Sequence, residues 1–159
     1  MLVYHGSNME VKLPDIRHSK RFLDFGSGFY ITTFFQQAEK WAKRKAMRNG
    51  GCAVVNVYEM SDNLVNYHVL NFENADADWL DFVCACRRGE NINQVYDIVI
   101  GNVANDDVFK SVDMYFRGIW DKERTIKELR YYKQNSQIVL VSQKAINETL
   151  QFVKTYVVE

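Results

Sequence analysis

Three short β-rich runs constrain this chain more than any other feature: Val54-Val55-Asn56-Val57-Tyr58, Tyr96-Asp97-Ile98-Val99-Ile100-Gly101 and Gln137-Ile138-Val139-Leu140-Val141. Their β-branched and aromatic residues suit a pleated, buried surface, and each run is too short for a typical helix. The stretches around them carry apolar residues at helical spacing. Strands and helices intermix without a βαβ rhythm, so an α+β fold around a central sheet is preferred to a doubly wound one.

The remaining elements follow from local signals. Leu2-Val3-Tyr4 reads as a strand running into His5-Gly6-Ser7, followed by a polar and aromatic loop from Asn8 to about Ser27. Gly28 to Thr33 reads as a second strand. Thr33 is placed to cap a helix carrying Ala38, Trp41, Ala42 and Lys45, which Asn49-Gly50-Gly51 stops. Tyr67–Phe72 is a further strand. Asp76 or Asp78 caps a helix with Trp79, Phe82, Val83 and Cys86 on its apolar face, closed by Arg87, Arg88 and Gly89. Val108, Val112, Tyr115, Phe116 and Ile119 recur at helical spacing, as do Ile126 and Leu129 between Asp121 and Tyr131. Ser142 caps a last helix through Leu150, and Phe152–Val158 closes the chain as a strand.

Composition narrows the class. The 159 residues, 47% hydrophobic and 25% charged, match a folded globular domain, and a single proline, Pro14, argues against a Pro-rich linker. Residues 1–159 therefore read as one domain. Twenty cationic side chains balance twenty acidic ones, which excludes a polycationic nucleic-acid binder but allows a local basic patch. The cluster Lys40, Lys43, Arg44, Lys45 and Arg48 is such a patch: either a solvated helix face or a contact for phosphate of a dinucleotide or nucleic acid.

No signal peptide and no membrane span is legible, and a cytoplasmic location is expected. Cys52, Cys84 and Cys86 read as reduced thiols, and the spacing of the last two does not match a zinc pair. His5, His18 and His68 are scattered, so no metal is expected. There is no Gly-rich phosphate loop, no GxSxG elbow and no HExxH.

Three places carry more specification than a core needs. In Tyr4-His5-Gly6-Ser7, a histidine at a strand end offers a hydrogen bond to a ligand hydroxyl, and Gly6 permits close approach to the backbone. The alternative is a buried histidine before a turn. In Asp24-Phe25-Gly26-Ser27-Gly28-Phe29-Tyr30-Ile31-Thr32-Thr33, two glycines between aromatics permit a bend and an aromatic face bared to a ligand. The alternative is a loop followed by an aromatic strand. Gln137 opens a late strand, where its amide either meets a ligand hydroxyl or faces solvent.

Taken in order, these motifs resemble the ADP-ribosyltransferase superfamily, in its His–Tyr–Glu branch of poly(ADP-ribose) polymerase-like and diphtheria-toxin-like enzymes. Phe25-Gly26-Ser27-Gly28-Phe29-Tyr30 is close to the FGxGIYF segment of that branch. The whole chain is similar to a family of small uncharacterised bacterial proteins of the same superfamily, through Tyr4-His5-Gly6-Ser7, Trp79-Leu80-Asp81-Phe82-Val83, Tyr96–Gly101 and Ala104-Asn105-Asp106-Asp107.

The resemblance implies a split, mixed or antiparallel central sheet flanked by helices, and NAD as co-substrate. It implies that His5 holds the adenosine ribose, that Gly6 grips the nicotinamide amide and that Tyr30 stacks on the nicotinamide ring. Ser7 and Thr32 would add hydroxyl contacts, with Gly28 in the cofactor-binding segment. It also implies an ADP-ribose acceptor of unknown class. A toxin or phage-conflict role with a neutralising partner protein would fit.

The chain departs from the pattern at Gln137, where the best-known members carry glutamate. An amide orients a ribose hydroxyl but takes no proton. Either the acceptor arrives nucleophilic or another residue, such as Asp106 or Asp107, acts as the base; the alternative is that Asp106 or Asp107 caps the helix carrying Val108 and Val112. Mono-transfer or NAD hydrolysis fits better than polymer synthesis. A non-catalytic NAD or ADP-ribose-binding module is the competing expectation.

Overall fold

The computed structural model describes residues 1–19, 23–104, 106–131 and 135–159, apart from the side chains of Asp106 and Asp107. Among these, the chain forms two sheets with five α-helices packed around them, an α+β fold. In the first sheet, β3 (Ala53–Met60) lies between β1 (Leu2–Ser7) and β7 (Leu150–Val158), antiparallel to both. The second runs in the order β2 (Phe29–Ile31), β6 (Ser136–Leu140), β5 (Ile98–Asn102) and β4 (Val69–Asn71). Only the β4–β5 pair is parallel.

Among the described residues one bridge joins the sheets. Tyr4 N–H donates to Thr32 O at 2.8 Å, and Thr32 N–H returns to Tyr4 O at 3.0 Å. Beyond this bridge the two sheets separate into their own hydrogen-bond ladders.

The helix α1 (Phe35–Asn49) covers one face of the first sheet, burying Ala38 and Ala42 against Val55. Its N-cap is Phe34 rather than Thr33, with no side-chain cap. The hydroxyl near this end is that of Thr32, which accepts from Phe34 N–H at 3.1 Å and donates to Ser136 O at 2.9 Å. Capping chemistry is thus shifted one residue upstream and shared with β6.

The helix α2 (Ala77–Arg87) is capped by Asp76, whose carboxylate accepts from Trp79 N–H. Leu80, Cys84 and Ala85 are buried together with the expected face of Trp79, Phe82, Val83 and Cys86. Such all-round burial marks a central helix rather than an amphipathic surface one. Val108 and Val112 of α3 (Asp106–Phe116) and Leu129 of α4 (Lys122–Leu129) join the same core, between the helices and the second sheet.

The helical spacing through Ile119 overshoots. Gly118 N–H returns to Tyr115 O and ends α3, and Ile119 is left exposed. Ser142 caps α5 (Gln143–Thr149) by accepting from Ala145 N–H. The opposite sheet face is buried by Val3, Phe29, Ile31, Tyr58, Ile138 and Leu140. Among the described residues no helix is long and apolar enough to cross a membrane.

Candidate functional site

The seam between the sheets brings His5 to Tyr30. The His5 ring lies 4.3 Å from that of Phe29, and its Nδ1 is 2.7 Å from Tyr30 O. A carbonyl oxygen only accepts, so Nδ1 carries the proton and Nε2 is the basic nitrogen of the neutral ring. Burial pushes the imidazole pKa down to about 4; the bond to Tyr30 opposes this and the charge of Lys45 adds to it. His5 is therefore uncharged at neutral pH, a hydrogen-bonding group rather than a cation.

The segment before β2 is fastened at each step. Asp24 pairs with Arg87 at 2.7 Å, and Arg87 also lies over the Phe109 ring at 4.8 Å. Phe25 N–H donates to the Tyr30 hydroxyl at 3.0 Å, and that hydroxyl donates to Gly26 O at 2.7 Å. Asn93 Nδ2 donates to Ser27 O, Gln94 Nε2 to Ser27 Oγ, and Ser19 brackets Gly28 through both its N–H and its O. Burial and the nearby Asp24 charge hold the Tyr30 phenol well above its ordinary pKa. Tyr30 is thus a neutral, oriented ring whose hydroxyl ties its own loop.

Gln137 is 2% exposed, and its Nε2 is the one buried side-chain polar atom without a hydrogen-bond partner among the described residues. Leaving a buried amide donor unpaired costs about 1–3 kcal/mol. Strand alternation places Gln137 on the face of Val139, which pairs with Tyr30. His5 packs with Phe29 on the other face. The structure therefore brings Tyr30 and Gln137 to one face of the second sheet and ties His5 to them through the Tyr30 backbone at the seam.

The other expected site residues have structural neighbours of their own. A Cβ on Gly6 would stand 2.1 Å from Ala38 O and 2.6 Å from Ala42 N, so this glycine seats α1 on β1. A Cβ on Gly28 would stand 2.4 Å from Val139 Cγ1, so this one lets β6 lie close. Ser7 is buried on β1. The Thr32 hydroxyl is committed to Ser136 and Phe34. Asp106 begins α3, and its side chain, like that of Asp107, lies outside the described residues.

Two open clefts, of about 490 and 480 Å³, lie elsewhere, along α4 and beside the Met60–Asp62 turn, and neither is lined by His5, Tyr30 or Gln137. Among the described residues no three His, Cys, Asp or Glu side chains gather to hold a metal ion. Sequence reasoning missed Ser19, Asn93 and Arg87 as loop fasteners. Asn93 sits in an undistinguished polar run, Asn91-Ile92-Asn93-Gln94, and only the fold shows its partner.

Fold and site together define an α+β protein whose two sheets are joined, among the described residues, at a single bridge, with a neutral histidine at that seam and a buried, unsatisfied amide on the second sheet. The chain belongs to the family described as "Protein of unknown function (DUF3990)", whose model matches residues 1–152. Among curated proteins none matches the chain.

Proposed function

We propose that the protein is an NAD-dependent mono-ADP-ribosyltransferase of the cytoplasm. The observation that carries this reading is the Nδ1–H of His5 on Tyr30 O, which leaves Nε2 as an acceptor for a ribose hydroxyl. The unpartnered Gln137 Nε2 supports it, since an oxygen of the nicotinamide riboside would satisfy that donor. On this reading His5 binds the adenosine ribose, Tyr30 stacks on the nicotinamide and Gln137 orients the nicotinamide ribose. Because Gln137 is buried, the cover over its face must open for NAD to reach it.

In the reaction the C1′–N bond to nicotinamide breaks, with its electron pair passing to the ring nitrogen, and neutral nicotinamide leaves. The acceptor atom then bonds C1′ on the oxocarbenium-like ribose. Neither Tyr30 nor Gln137 is a base, so Asp106 is the helper if a proton must be removed. A role as a toxin or phage-conflict effector with a neutralising partner accords with this chemistry.

A second reading, a non-catalytic NAD or ADP-ribose-binding module, is favoured by the amide at 137, where the resembled enzymes carry an acid. Nicotinamide release from NAD by the purified protein, beside Tyr30→Ala and Gln137→Glu, separates the two. Release that Tyr30→Ala abolishes supports the transferase. Saturable NAD binding with no release, even with cell extract supplied as acceptor, supports the module.

A further inference from the structure

We infer that the Phe25 ring occupies the place that the nicotinamide riboside half of NAD must take, so that the chain plugs its own site and the Asp24–Ser27 segment swings out to admit the ligand. The inference rests on the reading of Tyr30 and Gln137 as one ligand face.

Three observations converge on it. The first is register. Gly101 on β5 stands directly opposite Gln137 on β6, and opposed residues of an antiparallel pair share a face of the sheet. A Cβ built on Gly101 would lie 2.8 Å from Phe25 Cζ. The tip of the Phe25 ring therefore rests on strand backbone beside Gln137, over the face that also carries Val99, Val139 and Tyr30.

The second is an unmet hydrogen bond. Gln137 is 2% exposed with its Nε2 unpartnered, and the phenyl ring seated beside it has no lone pair to accept from that donor. A nicotinamide riboside also brings a flat ring, but with hydroxyl and carbonyl oxygens that do accept. The recess has a glycine for its floor, and the Phe72 and Phe82 rings stand 6.1 and 5.9 Å from that of Phe25. It suits a planar ring, whether from the chain or from a ligand.

The third is how the plug is held. Phe25 is fully buried, yet it belongs to no helix or strand. The Tyr30 hydroxyl ties Phe25 N–H and Gly26 O, Arg87 ties Asp24, and Asn93 ties Ser27 O. None of these bonds belongs to a sheet ladder, so the segment can leave while β2 and β6 stay paired. The latch and the stacking ring are then the same residue, Tyr30. A closed resting state of this kind lowers the apparent affinity by the fraction of molecules that is open.

The test is titration calorimetry on the full chain with an NAD analogue whose pyridine ring is joined to ribose through carbon and is not cleaved. Phe25→Ala vacates the recess and is expected to bind at least tenfold more tightly than the wild type while melting at a lower temperature. A ring that served the core alone would lower the melting temperature and leave the affinity equal or weaker. Arg87→Lys, which loosens the tie to Asp24 without entering the recess, is expected to bind severalfold more tightly and decides the matter where Phe25→Ala does not fold. In the wild type, hydrogen exchange at Phe25 N–H is expected to quicken at saturating analogue while the amides of β6 slow.

Affinity that is unchanged or weaker in both variants overturns the inference, as does a Phe25 amide that gains protection on binding. Where the wild type still binds the analogue, those outcomes remove the plug and leave the ligand reading standing. Absence of binding by the wild type and by both variants removes the ligand reading as well.

Discussion

His5 Nδ1 lies 2.7 Å from the backbone oxygen of Tyr30, and this contact spans the seam where the two sheets part. It fixes the tautomer of the ring, and burial keeps that ring neutral with a pKa of about 4. Stability and chemistry are coupled through one imidazole, because protonating it removes both the favourable environment and the acceptor nitrogen.

A dependence on pH follows. The folded pKa lies below the unfolded value of 6.5, so the unfolded chain takes up a proton first as pH falls. The stabilisation is fully present above about pH 6.5 and is lost progressively down to about pH 4, by about 3 kcal/mol in total. Urea unfolding at pH 7, 5.5 and 4 is expected to show this loss, and a His5→Gln variant to show a flatter profile. An equally steep profile in the variant would assign the loss to other groups.

Gly6→Ala is expected to destabilise the protein by about 2 kcal/mol or more, since the added methyl meets helix backbone rather than a flexible side chain. Chemical denaturation reads this directly. A cost under about 0.5 kcal/mol would mean that α1 lifts from β1 freely.

Gln137→Met removes an unsatisfied buried amide while keeping its volume. In the absence of ligand the variant is expected to match or exceed the wild type by about 1 kcal/mol. NAD is expected to raise the melting temperature of the wild type and not of the variant. Loss of apo stability in the variant would show that the Gln137 amide is satisfied in solution.

The Asp24–Arg87 pair is mostly buried, with side chains 20% and 13% exposed, so breaking it leaves an uncompensated charge. Arg87→Ala is expected to cost about 2–3 kcal/mol, including the lost stacking on Phe109. Asp24→Asn, which keeps a hydrogen-bond acceptor, is expected to cost less. Hydrogen exchange should rise first in Phe25–Gly28. Equal costs for the two variants would place the energy in packing rather than charge.

Cys86 is buried and its thiol is pushed up to about 12, chiefly by that burial. Thiol labelling under native conditions is therefore expected at the exposed Cys52 alone. Labelling of all three cysteines without denaturant would show that α2 opens readily.

The sequence by itself determined the fold class and the positions of the strands, because β-branched runs and helical spacing are local signals. The cap at Ser142 was legible for the same reason, and that of α2 was narrowed to Asp76 or Asp78: each is a short polar side chain next to the backbone it caps. The Phe25–Tyr30 segment was singled out by its glycines, but what holds it was not. Asn93, Arg87 and Ser19 are brought to it by the fold from up to 66 residues away, and nothing in their neighbours marks them.

Tertiary structure alone decided that Gly6 and Gly28 serve close packing and that the Thr32 hydroxyl is spent on β6 and α1. It alone decided that Gln137 is buried with an unpaired donor. Those properties depend on which strand lies beside which. Local propensity reads a residue's own backbone, whereas burial and hydrogen-bond satisfaction belong to its neighbours across the sheet.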